Sequence, residues 1–141
     1  METSHAEQVD DALARCIAAC NDCNKICLQN IEHCLSLGGP HAEPAHMSMM
    51  LTCAAVCRTA SELMSLNSEW HPTMCDLCAQ VCDECADECE ELGEMEDCVT
   101  ACQDCADACR EMVGEQADDE EEDEDEKEPQ GDELVTNERM N

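Results

Sequence analysis

The sequence has no phenylalanine or tyrosine and a single tryptophan, so the aromatic side chains that dominate most protein cores are almost absent. Basic residues are also scarce: 6 lysines and arginines stand against 36 acidic residues, for a formal net charge of −30. Such a chain repels nucleic acid and anionic membranes, which argues against DNA-binding functions. No stretch is apolar enough to span a bilayer, and residues 1–10 lack the basic start and apolar run of a signal peptide. We therefore expect a cytosolic protein without nucleic-acid or membrane partners.

Cysteine is what the sequence has in abundance, with 16 residues in 141. The cysteines recur at steps of three and four, the spacing that places residues on one face of an α-helix. The same steps mark the core-facing seam of a helix bundle, where leucine and isoleucine usually stand. Cysteine packs as a small hydrophobe, so the pattern predicts an all-α, antiparallel four-helix bundle with a cysteine-lined core.

Glycine and proline divide the chain into four helical segments. The predicted helices run from about His5 to Leu37, from Pro44 to the polar connection at residues 67–72, from Pro72 to Gly93, and from Met95 to Gly114. Glycine ends such helices in the left-handed conformation, proline opens them in the first turn, and the short connections force antiparallel neighbours. One seam position of the first helix, Asn30, interrupts the line of sulfur.

The predicted bundle domain is residues 1–114, and residues 115–141 are predicted to form a disordered acidic tail. Residues 118–128 carry ten acids and one lysine, a composition that cannot bury a core. We interpret the tail as a solubilising segment, with weak cation binding or docking of a partner as the alternatives. The bundle itself is also acidic, with 22 acids against 4 bases over residues 1–114.

The spacing of the cysteines favours metal binding over disulfides. A disulfide needs Cβ atoms about 3.5–4.5 Å apart, whereas helical neighbours three or four residues apart have theirs about 5–6 Å apart. An ion held between two sulfurs fits the wider gap. The candidate metal ligands are therefore all sixteen cysteines: Cys16, Cys20, Cys23, Cys27, Cys34, Cys53, Cys57, Cys75, Cys78, Cys82, Cys85, Cys89, Cys98, Cys102, Cys105 and Cys109.

Ligand softness and charge favour multiple Cu(I) ions among the common metals. Thiolates and thioethers select Cu(I), with zinc and iron–sulfur clusters as competitors. One Cu(I) for each thiol proton displaced leaves the core neutral, whereas a four-thiolate zinc site carries two negative charges into a dry interior. A zinc- or cadmium-sequestering protein and a cluster-carrying redox protein remain the alternatives. No catalytic triad, phosphate-binding glycine loop or pair of core-facing carboxylates is present, so we expect no enzymatic activity.

Histidine and methionine mark a candidate mouth for the metal. Where the first helix ends and the second begins, the seam offers His46, Met50 and Met95 beside Cys34, and these three are further candidate ligands. Met64, His71, Met74 and Met112 stand at the opposite end, which Val9 and Leu13 help to close. Neutral thioethers bind Cu(I) more weakly than thiolates and suit transfer of an ion inward, so we expect the mouth at the His46 end.

The sequence resembles the bacterial copper storage proteins, four-helix bundles with cysteine-lined cores. The resemblance rests on Met74-Cys75-Asp76-Leu77-Cys78-Ala79-Gln80-Val81-Cys82, on Cys102-Gln103-Asp104-Cys105-Ala106-Asp107-Ala108-Cys109 and on Cys16-Ile17-Ala18-Ala19-Cys20-Asn21-Asp22-Cys23. It covers about residues 5–113 and none of the tail. It implies the cytosolic branch of the family, a homotetramer, and storage of many Cu(I) ions. We also expect a copper donor or acceptor protein as a partner. His46 and Asn30 depart from it, since the cytosolic relatives can carry cysteine there.

Overall fold

The computed structural model describes the backbone of residues 2–119 and the side chains of residues 11–114. Within that part of the chain, four long helices follow one another: α1 (Glu2–Leu37), α2 (Pro44–Ser65), α3 (His71–Leu92) and α4 (Glu96–Asp119). A 3-10 turn, Gly39–Ala42, lies between α1 and α2. Helix α1 packs against α2 and α4, and α3 packs against the same two helices, so the fold is the predicted four-helix bundle.

The helix ends follow from the glycines and prolines of the sequence. Gly38 and Gly93 close α1 and α3 with φ angles of 72° and 82°, a region that favours residues without a Cβ atom. Their amides donate to the carbonyls of Cys34 and Cys89, each at 3.0 Å. Pro44 and Pro72 lie in the first turns of α2 and α3. Backbone amides there have no carbonyl partner within the helix, so proline loses no hydrogen bond.

The predicted boundaries differ from the observed ones at the outer ends of the bundle. Helix α1 begins at Glu2 rather than near His5, and α4 continues five residues past Gly114 to Asp119. Gly114 does not end α4 because nothing there forces a left-handed backbone, and glycine inside a helix costs only about 1 kcal/mol. Residues 115–119, which the sequence assigned to the disordered tail, are thus helical. The remainder of the predicted tail, residues 120–141, lies outside the described residues.

The core is made of sulfur and small side chains. All sixteen cysteines have no exposed surface, and neither do Met50, Met112 and Ala60. This burial confirms the predicted cysteine-lined core. Asn30 is the exception on α1, because it is partly exposed and donates to the Ile26 carbonyl 2.9 Å away on its own helix.

Three arginines form ion pairs on the bundle surface. Arg110 on α4 binds Asp83 on α3 through both terminal nitrogens, and Arg15 on α1 binds Glu111 on α4 at 2.9 Å. Arg58 makes a looser contact of 3.9 Å within α2. No helix in the described part of the chain is long and apolar enough to cross a membrane.

Candidate metal centre

The cysteines of the four helices meet on the bundle axis. Cys57 on α2 lies 3.6 Å from Cys82 on α3, and Cys20 on α1 lies 3.5 Å from Cys105 on α4. Each helix turns its sulfur stripe inward because that stripe is its most continuous apolar face. All sixteen cysteines are free thiols. The bundle therefore contains a column of unpaired sulfur shielded from water.

Twelve of the cysteines belong to five groups of four, among others, in which all the sulfurs lie within 4.8 Å of one another. We call these twelve the cysteine ladder, and along the bundle its groups are Cys20/Cys78/Cys105/Cys109, Cys57/Cys78/Cys82/Cys105, Cys23/Cys53/Cys57/Cys82, Cys23/Cys27/Cys53/Cys102 and Cys27/Cys85/Cys98/Cys102. Each group shares two cysteines with the next. A thiolate in the shared positions can bridge two ions, so the ladder suits a continuous row of metal rather than isolated sites.

Further sulfur atoms extend the ladder at both ends. Cys16 lies 3.4 Å from Cys109, and the fully buried Cys75 adds a further thiol at this end. At the other end, Met50 accepts hydrogen bonds from Cys85 and Cys89, both at 3.7 Å. Met50 is thus a thioether cap on the ladder.

The distances alone suit more than one metal. A tetrahedral ion with bonds of about 2.3 Å to sulfur needs sulfurs about 3.8 Å apart. The ladder contacts fall on both sides of that value, from 3.5 Å for Cys105–Cys20 to 4.0 Å for Cys20–Cys78. What separates the metals here is the charge that each brings into a closed core.

Burial acts to raise the pKa of all sixteen thiols, because a thiolate loses its hydration there. It is the largest cause for Cys34, whose pKa is raised. The hydrogen bond between Cys23 and Cys102, 3.7 Å long, acts in the opposite direction and lowers the pKa of Cys23 to about 7. Hydrogen bonds with neighbouring thiols also lower the pKa values of Cys16, Cys53, Cys78, Cys98 and Cys105, and Cu(I) binds the thiolate form.

Cys34 stands apart from the ladder. Its Sγ lies 3.4 Å from His46 Nε2 and donates to Met95 Sδ at 3.6 Å. Among the described residues it makes no hydrogen bond to another thiol, because the α1 seam position between it and Cys27 is Asn30, which turns away. The structure therefore brings three predicted ligands together in an outer site, defined as Cys34, His46 and Met95, and it places the fourth, Met50, on the ladder.

Sequence reasoning missed the residue that contacts the far side of His46. Glu88 Oε2 lies 2.7 Å from His46 Nδ1, across the interface of α2 and α3. Glu88 precedes a seam cysteine, so its position in the pattern predicts only a solvent-facing acid. The contact depends on the relative rotation of α2 and α3, which no local pattern gives.

Two further histidines brace the turn between α3 and α4. His33 Nε2 lies 3.0 Å from the Glu94 carbonyl, and His41 Nε2 lies 2.9 Å from the Gly93 carbonyl. A carbonyl only accepts, so each ring nitrogen donates there. This fixes the backbone next to Met95, the outer-site ligand that immediately precedes α4.

Surface clefts adjoin the outer site at the His46 end. One of about 200 Å³ is lined by Cys89, Gly93 and Met95, and another of about 350 Å³ by Asn30, His33 and Met95. Several acids line them: Glu90, Glu94, Glu96 and Asp97. Met95 thus separates two openings from the sulfur core.

At the opposite end, two buried methionines and a histidine cover the ladder. Met64 and Met112 are at most 1% exposed, His71 is 4% exposed, and Leu13 packs against the core nearby. Met74 is only partly buried. Val9, predicted to help close this end, lies outside the residues whose side chains are described.

Comparison with known proteins points to one family. A family described as copper storage protein (Csp) matches residues 9–114. Among solved structures, a protein of Nitrosospira multiformis is 43% identical, with a TM-score of 0.72 over 74% of this chain and 97% of its own. The Cu(I)-bound copper storage protein BsCsp3 is 32% identical, with a TM-score of 0.68 over 72% of this chain and 98% of its own.

A third similar structure is the apo form of copper storage protein 3 from Bacillus subtilis. It is 35% identical, with a TM-score of 0.59 over 70% of this chain and 95% of its own. No curated protein matches the chain. The family match covers the region that holds the ladder and the outer site and stops before the acidic tail.

Proposed function

We propose, from the premise that this chain belongs to the copper storage protein family, that it stores Cu(I) as thiolate-bridged ions along the cysteine ladder. The observation that carries the proposal is the sharing of two cysteines between every pair of successive groups in the ladder. Shared ligands allow each thiolate to bridge two ions, so capacity approaches one Cu(I) per cysteine. Cys16, Cys75 and Cys89 extend the row at its ends.

Charge balance supports copper over a divalent ion in this ladder. Each Cu(I) replaces one thiol proton, so the loaded core stays neutral. Five divalent ions in the five groups would leave negative charge on twelve thiolates that have no exposed surface. An uncompensated charge in such an interior is costly, more so in a chain of net charge −30.

The proposed role is sequestration without catalytic turnover. Every thiol is buried, and the acids that could act in proton transfer lie on the outer faces of the helices, apart from Glu88 beside His46. None of the sixteen cysteines has exposed surface, so a substrate larger than an ion would not reach the sulfurs. In this proposal the protein binds and releases Cu(I) and catalyses no reaction.

The proposed mouth is the His46 end. Support comes from the two clefts that reach Met95 and Cys89 from the surface and from the thioethers that lie between surface and ladder. Thioether and imidazole ligands are neutral, so an ion passing them leaves more easily than one held by bridging thiolates. Met50 then hands the ion to Cys85, Cys89 and Cys98, all within 4.0 Å of its sulfur.

We also propose a reducing cytosol as the compartment and a homotetramer as the assembly. Free thiols persist where glutathione and thioredoxin keep them reduced. Leucines on α1 and α2 supply exposed apolar surface for contact between copies: Leu28 is 48%, Leu35 57% and Leu51 52% exposed. Sedimentation of the full chain separates a tetramer from a monomer. A copper carrier protein is the proposed donor or acceptor.

An anaerobic metal titration tests the storage function. The fully reduced full-length chain is titrated with Cu(I) against a competing chelator, and the titration is repeated with Zn(II). We expect many Cu(I) ions per chain, near one per cysteine, a colourless product and displacement of any bound zinc. Saturation at one or two ions, or zinc that survives excess Cu(I), would overturn the proposal.

A matched pair of variants ties that capacity to the ladder. Cys82→Ser removes a sulfur shared by two groups, whereas Ser61→Ala changes a buried residue that carries no sulfur. We expect the first to lower the capacity and the second to leave it unchanged. Equal capacities would mean that copper binds elsewhere.

A further inference from the structure

The imidazole of His46 is held between two helices by contacts at both ring nitrogens. Nδ1 lies 2.7 Å from the Glu88 carboxylate on α3, and Nε2 lies 3.4 Å from Cys34 Sγ on α1. The histidine is 3% exposed and the Glu88 side chain is 36% exposed, so the ring itself is shielded from water. Its orientation is therefore set by Glu88 on one side and directed at a thiol on the other.

The contact with Glu88 also selects the tautomer of the ring. An ionised carboxylate only accepts hydrogen bonds, so Nδ1 carries the proton and donates it to Glu88. In the neutral ring, Nε2 then presents its lone pair toward Cys34. Histidines that bind metals in proteins commonly have this arrangement, with the second nitrogen donating to a carboxylate or carbonyl.

We propose that Cys34 Sγ, His46 Nε2 and Met95 Sδ form one Cu(I) site, separate from the ladder, and that Glu88 is a positioning residue that keeps His46 oriented for it. The inference rests on the proposed function and adds a site of different chemistry to it. On binding, the Cys34 thiol proton leaves to solvent and the copper remains Cu(I), so the site is neutral when filled.

The observed spacing suits a three-coordinate ion. With bonds of about 2.3 Å to sulfur and about 2.0 Å to nitrogen, a planar site places the two sulfurs about 4.0 Å apart and sulfur and nitrogen about 3.7 Å apart. The corresponding separations are 3.6 Å for Cys34–Met95 and 3.4 Å for Cys34–His46. An expansion of a few tenths of an ångström, which side-chain rotation supplies, admits the ion.

Because the outer site shares no ligand with the ladder, its affinity for Cu(I) differs from that of the ladder. One thiolate here serves one ion, and two neutral ligands replace the bridging thiolates of the interior. Cu(I) is therefore held more weakly than in the ladder and exchanges first. The outer site is the last to fill against a chelator and the first to empty.

The first test measures the tautomer of His46 in the metal-free protein by nitrogen NMR of the full chain labelled with 15N-histidine. We expect a protonated Nδ1 and a bare Nε2, whose resonance moves when Cu(I) is added. Glu88→Leu shifts the ring toward the other tautomer, and Glu88→Gln, which keeps an accepting oxygen, restores the first. Glu84→Leu is the matched control, since it removes an exposed acid from the same face one turn earlier. An unchanged tautomer in Glu88→Leu would overturn the positioning role.

The second test counts the ions. Cys34→Ser and His46→Leu each lose one Cu(I), and the double variant also loses one because both residues hold the same ion. Glu88→Leu weakens that ion about 10- to 100-fold and leaves the others unchanged. A wild-type count in His46→Leu, or a loss of two ions in the double variant, would overturn the outer site alone. A wild-type protein that binds only one or two ions would instead overturn storage itself, so the two failures are distinct.

Discussion

Cys57 Sγ lies 3.6 Å from Cys82 Sγ across the interface of α2 and α3, and this pair belongs to two successive groups of the cysteine ladder. Neither residue is a ligand to a single discrete site. A metal ion in one group therefore shares half of its ligands with the next group. Capacity is set by the length of the unbroken row, which makes it adjustable by adding or removing sulfur along the seam.

Ala60→Cys should enlarge the store. Ala60 has no exposed surface and follows Cys57 by three residues on α2, so a cysteine there falls on the same inward face. We expect about one additional Cu(I) per chain, because each added core thiol can exchange its proton for an ion. The metal-free protein should lose about 1 kcal/mol or more of stability, since an extra sulfur overpacks the core. Chelator titration counts the ions.

The control for that gain is Ala55→Cys. Ala55 lies on the same helix but is exposed, so its thiol has no core neighbours. It should add no tightly held copper. If both variants gain equally, the extra ion binds at the surface, and the interpretation of the ladder as a continuous row is wrong.

The metal-free bundle should lose stability as the pH rises above about 9. The pKa of Cys34 is raised from 9.0 by burial, so the folded state binds its proton more tightly than the unfolded state. The resulting stability is complete below pH 9 and is lost as the pH approaches the raised value. Each raised pKa unit contributes about 1.4 kcal/mol. Thiols with a lowered pKa, such as Cys23 at about 7, add stability only up to pH 9, so they do not offset the loss above it.

Thermal unfolding at pH 7 to 10 under anaerobic, reducing conditions measures the effect. The sequence has no tyrosine, so no phenol ionises in the same range. Copper-loaded protein is the control, because its thiolates are already formed and neutralised by Cu(I). A melting temperature of the metal-free protein that stays level or rises from pH 9 to 10 would contradict the prediction.

The bundle and its core could be predicted from the sequence because both depend on local periodicity. A cysteine three or four residues after another shares its face wherever the helix lies, so the burial of Cys75 or Cys105 followed from spacing alone. The placement of Met50 and Met95 near one end followed from chain order. Only the contacts between side chains of different helices required the structure.

The pairing at His46 could not be predicted, because it depends on how the helices rotate against one another. Glu88 and Glu84 occupy similar places in the cysteine repeat, yet only Glu88 contacts the histidine. Asn30 occupies a regular seam position but bonds to its own helix instead of facing the core. Its polar amide has a closer carbonyl partner than the sulfur column offers.

Met95→Leu should slow copper uptake, weaken the ion of the outer site and leave the capacity of the ladder unchanged. Met95 is 2% exposed, lies between two clefts and the core, and accepts from Cys34 at 3.6 Å. Leucine has a similar volume but no sulfur, so packing is kept while a ligand on the inward path is lost. We expect the loading rate to fall severalfold, measured from the ultraviolet absorbance of Cu(I)–thiolate bonds after rapid mixing.

Met112→Leu is the matched control at the His71 end. Met112 is also fully buried, so the same replacement tests packing without touching the proposed mouth. It should load at the wild-type rate. If only Met112→Leu loads more slowly, copper enters at the His71 end of the bundle instead.

Arg110→Gln should destabilise the metal-free bundle more than Arg58→Gln does. Arg110 joins α4 to Asp83 on α3 through two nitrogens, and the ion pair raises the pKa of the guanidinium. Arg58 makes only a 3.9 Å contact with Glu62 on its own helix. Both arginines are about half exposed or more, so the cost at Arg110 is modest, about 0.5 kcal/mol. That corresponds to a fall of about 2–4 °C in melting temperature for a domain of this size.

The salt dependence of the melting temperature distinguishes loss of this ion pair from loss of side-chain packing. The first 114 residues carry 22 acids and 4 bases, so each lost cation also increases repulsion between helices. Salt screens both the lost attraction and the added repulsion between exposed charges. The difference in melting temperature between Arg110→Gln and the wild type should therefore shrink from 50 mM to 1 M salt. A difference that persists unchanged in 1 M salt would show that the arginine acts through the packing of its stem, and Asp83→Asn would then be expected to have no effect.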